Sequence, residues 1–275
     1  MSEEKIIILP NTKNLEIYTS KSLNNFLLPL KDYSIGFDVY FEIDEINELA
    51  KKHNIYVMIN KFMHKEISLF KEIYQKFDKK INFFIEDIGL VNIIDKNRVV
   101  LYENHILSNH IGVNFLKDLG IENVVINNDL TIDEIEEIKE KTKSKLYYFY
   151  ITRNTLMYSK RALVTNFKKY NNILDNEKEL SVKEKVTKTP LLFKEEDGQT
   201  TVAYSKIFAS NKYINKINKL DYLIINTTFM SNLEQKIVLE NYKSEKLIDI
   251  LDTDYYFLEN EIKYKIGDLK WNTNY

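Results

Sequence analysis

Short, continuously apolar runs alternate with stretches of helical period along most of this chain, and this alternation constrains the fold more than any other feature. The runs are KIIILP (5–10), YSIGFDVYF (33–41), IYVMIN (55–60), INFFIED (81–87), RVVLYEN (98–104), ENVVIN (122–127), KLYYFYIT (145–152) and KLDYLIINTTF (219–229). A strand that is apolar at nearly every position has both faces covered, as in parallel sheets. Between the runs, residues 42–54 place Ile43, Ile46, Leu49 and Ala50 on one helix face, and 65–77, 109–120, 130–142 and 232–244 read as further amphipathic helices. Gly120 suits the position just past a helix end, and Thr131 with Glu134 forms a capping box. Strand and helix in alternation with short links predict a parallel α/β sheet, closed as a barrel or doubly wound. The chain has no G-x-G-x-x-G and no Walker A sequence, which counts against the nucleotide-binding doubly wound folds.

Composition narrows the chemistry. The 275 residues suit one large domain, or one domain with a small appendage. With Lys+Arg 39 against Asp+Glu 41, the net charge is -2, so no long-range attraction to nucleic acid is written into it. There is no cysteine, which excludes disulfides, thiolate metal sites and cysteine nucleophiles together. The apolar run near the N-terminus is too short for a secretion signal. No window approaches the ~18 apolar residues of a membrane span. The expected location is the cytoplasm, with no membrane association.

After residue 158 the pattern changes. Residues 168–189 are polar and charged and read as a surface loop, and 190–210 as a β-hairpin turning at Asp197-Gly198. The expected organisation is a TIM-barrel-like (β/α) domain over 1–245, not necessarily complete, with the 168–210 loop and hairpin inserted and 246–275 as a C-terminal extension.

Five segments in order resemble peptidase family U32, the collagenase-like peptidases. They are the helix and strand ending at Asn60, the strand end with Asp87 and Gly89, the element from Asn109 to Gly120 and onward, YSKRALVTNF (158–167), and the segment running to IINTT (224–228). The resemblance implies a (β/α) barrel with its site at the C-terminal strand ends. It also implies either peptidase activity or a hydroxylation role that uses an iron–sulfur cluster and prephenate. The departures are as informative. The family cysteine of the Y-S-G-R-C element is Ala162, its glycine is Lys160, and the charged K-I-E-G-R element is replaced by Ile224, Asn226 and Thr228.

The candidate mouth residues are therefore Asn60, Asp87, Asn109, Tyr158, Ser159, Arg161 and Asn226, with no metal and no cofactor expected. Arg161 could grip an anion bidentately or pair with a surface acid. Asp87 reads better as a cap on the turn at Gly89. Glu86 and Glu103 end strands without a partner base. Glu103, His105 and His110 could form a metal site, but i, i+5 spacing does not align the two histidines on one helix face. His53 and His64 have no companions. The lysine-rich run 168–188 is interleaved with acids and reads as a solvated loop. The expected function is a non-catalytic subunit or partner of an active family member, paired with a second family member or with itself. The alternatives are a cysteine-independent hydrolase and an RNA-binding modification factor.

Overall fold

The computed structural model describes residues 2–259 apart from 62, 64, 65, 103–106, 186, 187, 246, 248 and 249. Glu103, His105, His64 and residues 260–275 of the expected extension lie outside the described residues. The strands are β1 (Ile6–Leu9), β2 (Asn25–Pro29), β3 (Asn54–Ile59), β4 (Asn82–Ile85), β5 (Val99–Leu101), β6 (Asn123–Val125), β7 (Lys145–Thr152), β8 (Thr155–Ser159), β9 (Glu179–Lys183), β10 (Pro190–Glu196), β11 (Gln199–Tyr204), β12 (Ile207–Ala209), β13 (Tyr222–Asn226) and β14 (Thr253–Asp254). β1 to β7 pair in parallel in chain order, β13 pairs with β1, and β13 also pairs with β7. Eight parallel strands thus close into a TIM-type barrel.

The helices are α1 (Glu16–Thr19), α2 (Ile43–Ala50), α3 (Ile67–Tyr74), α4 (His110–Asp118), α5 (Ile132–Lys141), α6 (Leu163–Tyr170), α7 (Ile214–Ile217) and α8 (Asn232–Asn241). Between β4 and β5 the link carries 3-10 turns, Ile88–Asn92 and Lys96–Arg98. The continuous apolar runs are explained by two cores. Ile7, Leu27, Met58, Phe84, Val125, Phe149 and Ile224 fill the barrel interior, while their chain neighbours pack under the helices. Towards the N-terminal end of the barrel, the Tyr147 ring stacks on Tyr222 at 4.6 Å and meets Phe84 edge-on at 5.4 Å.

The local signals hold. Thr131 and Glu134 form the capping box of α5. Gly120 adopts φ +86 after α4, a left-handed conformation that glycine enters without steric cost. Residues 33–41, expected as a strand, are instead a loop carrying Gly36 at φ +84, whose ladder pairing is one β-bridge, Leu30 to Phe41. The second strand is β2, disguised by Asn25 and by Pro29, which sits at its last position. The loop is apolar because it folds inward: Phe37 is buried in the barrel interior.

Between β7 and β13 the chain leaves the barrel to build a four-stranded antiparallel sheet, β8-β11-β10-β9, with α6 against it. The hairpin turns at Asp197 (φ 48) and Gly198 (φ 72), as a two-residue turn with both φ positive requires. The polar stretch 168–189, expected as a loop, contains the end of α6 and strand β9. β9 is a sheet edge with mostly exposed side chains, so it shows no apolar alternation to read.

Candidate functional site

In a barrel of this type the chemistry belongs at the C-terminal strand ends, and here the inserted sheet lies over them. Asn60, one residue past β3 and 1% exposed, is the centre of the contact. Its Oδ1 accepts from the Ile35 N–H at 2.9 Å, and its Nδ2 donates to the Ile35 carbonyl at 3.0 Å and to the Tyr158 hydroxyl at 2.9 Å. Both ends of the amide are thus committed. Tyr158 comes from β8, and its ring crosses Gly36 so closely that a Cβ there would lie 2.7 Å from the ring and 2.8 Å from the Thr201 hydroxyl. Burial pushes the Tyr158 phenol well above its usual pKa, and the charge of Glu86, buried at the end of β4, pushes it further.

A second latch lies across the mouth. Asp38 accepts from the Phe229 N–H at 2.6 Å and from Lys194 Nζ of β10 at 2.5 Å, while that ammonium sits 4.9 Å from the Phe229 ring centroid. Phe229 itself has φ 62, a conformation unusual for a bulky residue that the surrounding contacts must hold. A third tie binds the root of the insertion. Arg153 Nε donates to the Ser205 carbonyl at 2.8 Å, joining the chain's entry to its exit. Its other nitrogens reach the Phe229 carbonyl at 2.6 Å and Glu234 Oε1 at 2.7 Å. Burial opposes ionisation of Glu234, but the Arg153 and Ser231 hydrogen bonds outweigh it and hold the carboxyl below its usual pKa.

Beside these latches lies a cleft of about 140 Å³, with the exposed Asp129 and Leu156 on its rim. Sites for drug-sized ligands run from roughly 300 Å³ upward, so this one is small. Its polar wall is largely neutral: Asn127, Asn128, Thr152, Asn154 and Asn226. The charged side chains on the wall are Asp129 and Arg153, and Arg153 is paired with Glu234. A larger crevice, about 570 Å³, opens outside the latch between the 31–42 loop and the β10–β11 hairpin. Its lysines are engaged: Lys13 with Glu45, Lys31 with Glu42, Lys194 with Asp38, and Lys61 with the Asp32 carbonyl.

The other sequence candidates fall as follows. Asn226 lines the cavity, its Nδ2 donating to Thr152 Oγ1 at 3.1 Å and its Oδ1 accepting from the Thr228 N–H at 3.0 Å. Asp87 caps its turn, accepting from Gly89 N–H at 2.9 Å and Met63 N–H at 3.2 Å. Asn109 is the N-cap of α4, accepting from Gly112 N–H at 2.9 Å. Ser159 Oγ accepts from the Arg161 N–H at 3.3 Å. Arg161 is exposed on the turn between β8 and α6 and does not line the cavity. His110 stands 3.4 Å from Glu137 of α5 and does not line the cavity. Of the seven, only Tyr158 and Asn226 therefore line the cavity, with Asn60 bonded to Tyr158 behind its wall. Sequence reading missed Arg153 and Asp38. Arg153 carried one usable signal: a cation directly after a buried strand.

The donor set does not fit an iron–sulfur cluster. Ala162 holds the N-cap position of α6, the chain has no cysteine, and among the described residues no three His, Asp or Glu side chains form a metal-holding group. No step through such a cluster is derived.

An eight-stranded (β/α) barrel with an inserted antiparallel sheet latched over its C-terminal mouth is the class this fold and site define. The model of peptidase family U32 matches residues 21–228, and the chain belongs to that family. No curated protein and no solved structure matches it. Among the described residues no helix is long and apolar enough to cross a membrane.

Proposed function

We propose that this protein is a non-catalytic member of peptidase family U32 that works as a partner of another chain, its barrel mouth serving as packing rather than as an active site. The observation that carries this reading is the Asn60–Tyr158 latch, in which a residue past β3 is consumed in holding the insertion shut. Catalysis at a strand end needs a nucleophile or base that can present a lone pair to substrate. Asp87, Asn109 and Asn226 are all used in local hydrogen bonds. The wall's one cation, Arg153, is already paired with Glu234, and this disfavours an anionic cosubstrate such as prephenate, because a desolvated carboxylate without paired donors costs several kcal/mol.

The test has two arms. Purified protein is incubated with gelatin and casein, with and without divalent metal, and the products are read by mass spectrometry. No cleavage is expected, and cleavage that Tyr158→Phe alters overturns the non-catalytic reading. Affinity capture from the source cell is expected to recover a second U32 chain or a second copy. Recovery of neither overturns the partner reading.

A further inference from the structure

The inserted sheet carries a surface that the mouth does not use. Residues 158–174 contain Lys160, Arg161, Lys168 and Lys169 and no acid, in a chain whose net charge is -2. Val164 and Lys168 turn the inner face of α6 to the sheet and are buried, and Lys168 is spent on Asp175. The flank beside them is apolar and open to solvent. Phe167 is 48% exposed, Tyr170 87% and Leu174 100%. Phe167 and Tyr170, three apart, share one face of α6, and Leu174 adds to this exposed apolar stripe beyond the helix end. The tip is held in shape. Asn172 takes φ 56, the Ile173 N–H returns to the Lys168 carbonyl at 2.9 Å, and Glu195 receives the Thr165 N–H in the first turn of α6 at 2.8 Å.

We propose that this stripe is a peripheral docking surface for an anionic lipid bilayer, with Phe167, Tyr170 and Leu174 entering the headgroup region and Lys160, Arg161 and Lys169 facing its phosphates. An apolar stripe beside cations is the composition of an interfacial helix. Each cation near an anionic leaflet adds attraction. Shape decides between occupants. The three apolar residues line neither the mouth cavity, nor the crevice beside it, nor the two recesses at the N-terminal end of the barrel. A fully exposed leucine on a projecting tip suits a deformable medium that closes around it. A single nucleic-acid strand is held in a charged groove with stacking platforms. The acids nearest in sequence are Asp175, already paired with Lys168, and Glu177.

The test is co-sedimentation of the full chain with vesicles of phosphatidylcholine alone and of phosphatidylcholine with phosphatidylserine. Binding is expected only to the anionic vesicles, falling about fivefold for Lys169→Gln and lost in 1 M salt, where screening is short-ranged. The Tyr170→Ser/Leu174→Ser double variant, both positions exposed and its fold checked by circular dichroism, is expected to abolish binding. Three results overturn the proposal: no binding to anionic vesicles, equal binding to both compositions, or full binding by the double variant. Capture of a single-stranded oligoribonucleotide without vesicle binding also overturns it.

Discussion

The Nδ2 of Asn60 donates to the hydroxyl of Tyr158 across 98 residues of sequence, at 2.9 Å, and joins the barrel to the sheet that covers it. Removing the amide also strands the Ile35 N–H and carbonyl, which Asn60 pairs. Ile35 is half-buried, so a backbone group left there without its partner costs about 1 kcal/mol, the low end of the range for buried groups. Asn60→Ala is therefore expected to lose roughly 2–4 kcal/mol in urea unfolding. Tyr158→Phe, which removes a single bond, is expected to lose about 1 kcal/mol. Equal losses would mean that Asn60 does not hold Ile35.

Gly36 makes the close approach of Tyr158 possible. Gly36→Ala places a Cβ 2.7 Å from the Tyr158 ring at a φ of +84. Strain of this kind costs about 1–3 kcal/mol. The change is expected to lift the insertion, so that limited proteolysis cuts faster within 158–205 than in the wild type. Unchanged cleavage would show that the ring moves aside freely.

Arg153 and Glu234 are a largely buried pair, with side chains 10% and 27% exposed. Breaking such a pair from one side costs about 3–5 kcal/mol. Arg153→Ala is expected to fall in that range by thermal or urea denaturation. Arg153→Lys should recover little, since one ammonium cannot reach Ser205, Phe229 and Glu234 together. Full stability in Arg153→Lys would contradict the fork geometry.

Glu195 gives the insertion an acid-sensitive joint. Burial alone would raise its pKa, but hydrogen bonds from Lys178 and Thr165 overcome this and lower it to about 2, from 4.5. The folded form therefore binds its proton less readily than the unfolded chain. The stability it contributes is complete above about pH 5 and is lost as pH falls towards 2. Glu195→Gln should flatten the pH dependence of unfolding over that window. An unchanged slope would assign acid sensitivity to other carboxyls.

What was legible in the sequence was whatever acts over short distances along the chain. The turn cap from Asp87 to Gly89 and the capping box of Thr131 with Glu134 each span no more than three residues, whereas Asn109, read as a mouth residue, is the N-cap of α4. The barrel strands show because both faces are buried, so Val57 and Met58 are apolar for different cores. The 33–41 loop misled because Phe37 enters the barrel interior from a loop, giving strand composition to a turn. The latches were hidden because their partners are far apart: Asn60 with Tyr158, Asp38 with Lys194, Arg153 with Glu234. Arg161 drew attention by motif, yet it projects to solvent one turn beyond the residue that matters, Tyr158.

Amide hydrogen exchange at Ile35 and Phe229 tests the closed mouth most directly. The Ile35 N–H is held by Asn60 and the Phe229 N–H by Asp38, and neither bond is part of a helix or strand ladder. If the insertion stays latched, both amides exchange as slowly as those of β7, opening only with the barrel. Exchange of both at the rate of an open loop, while β7 stays protected, would mean that the insertion lifts from the mouth in the native state and would contradict the latched account.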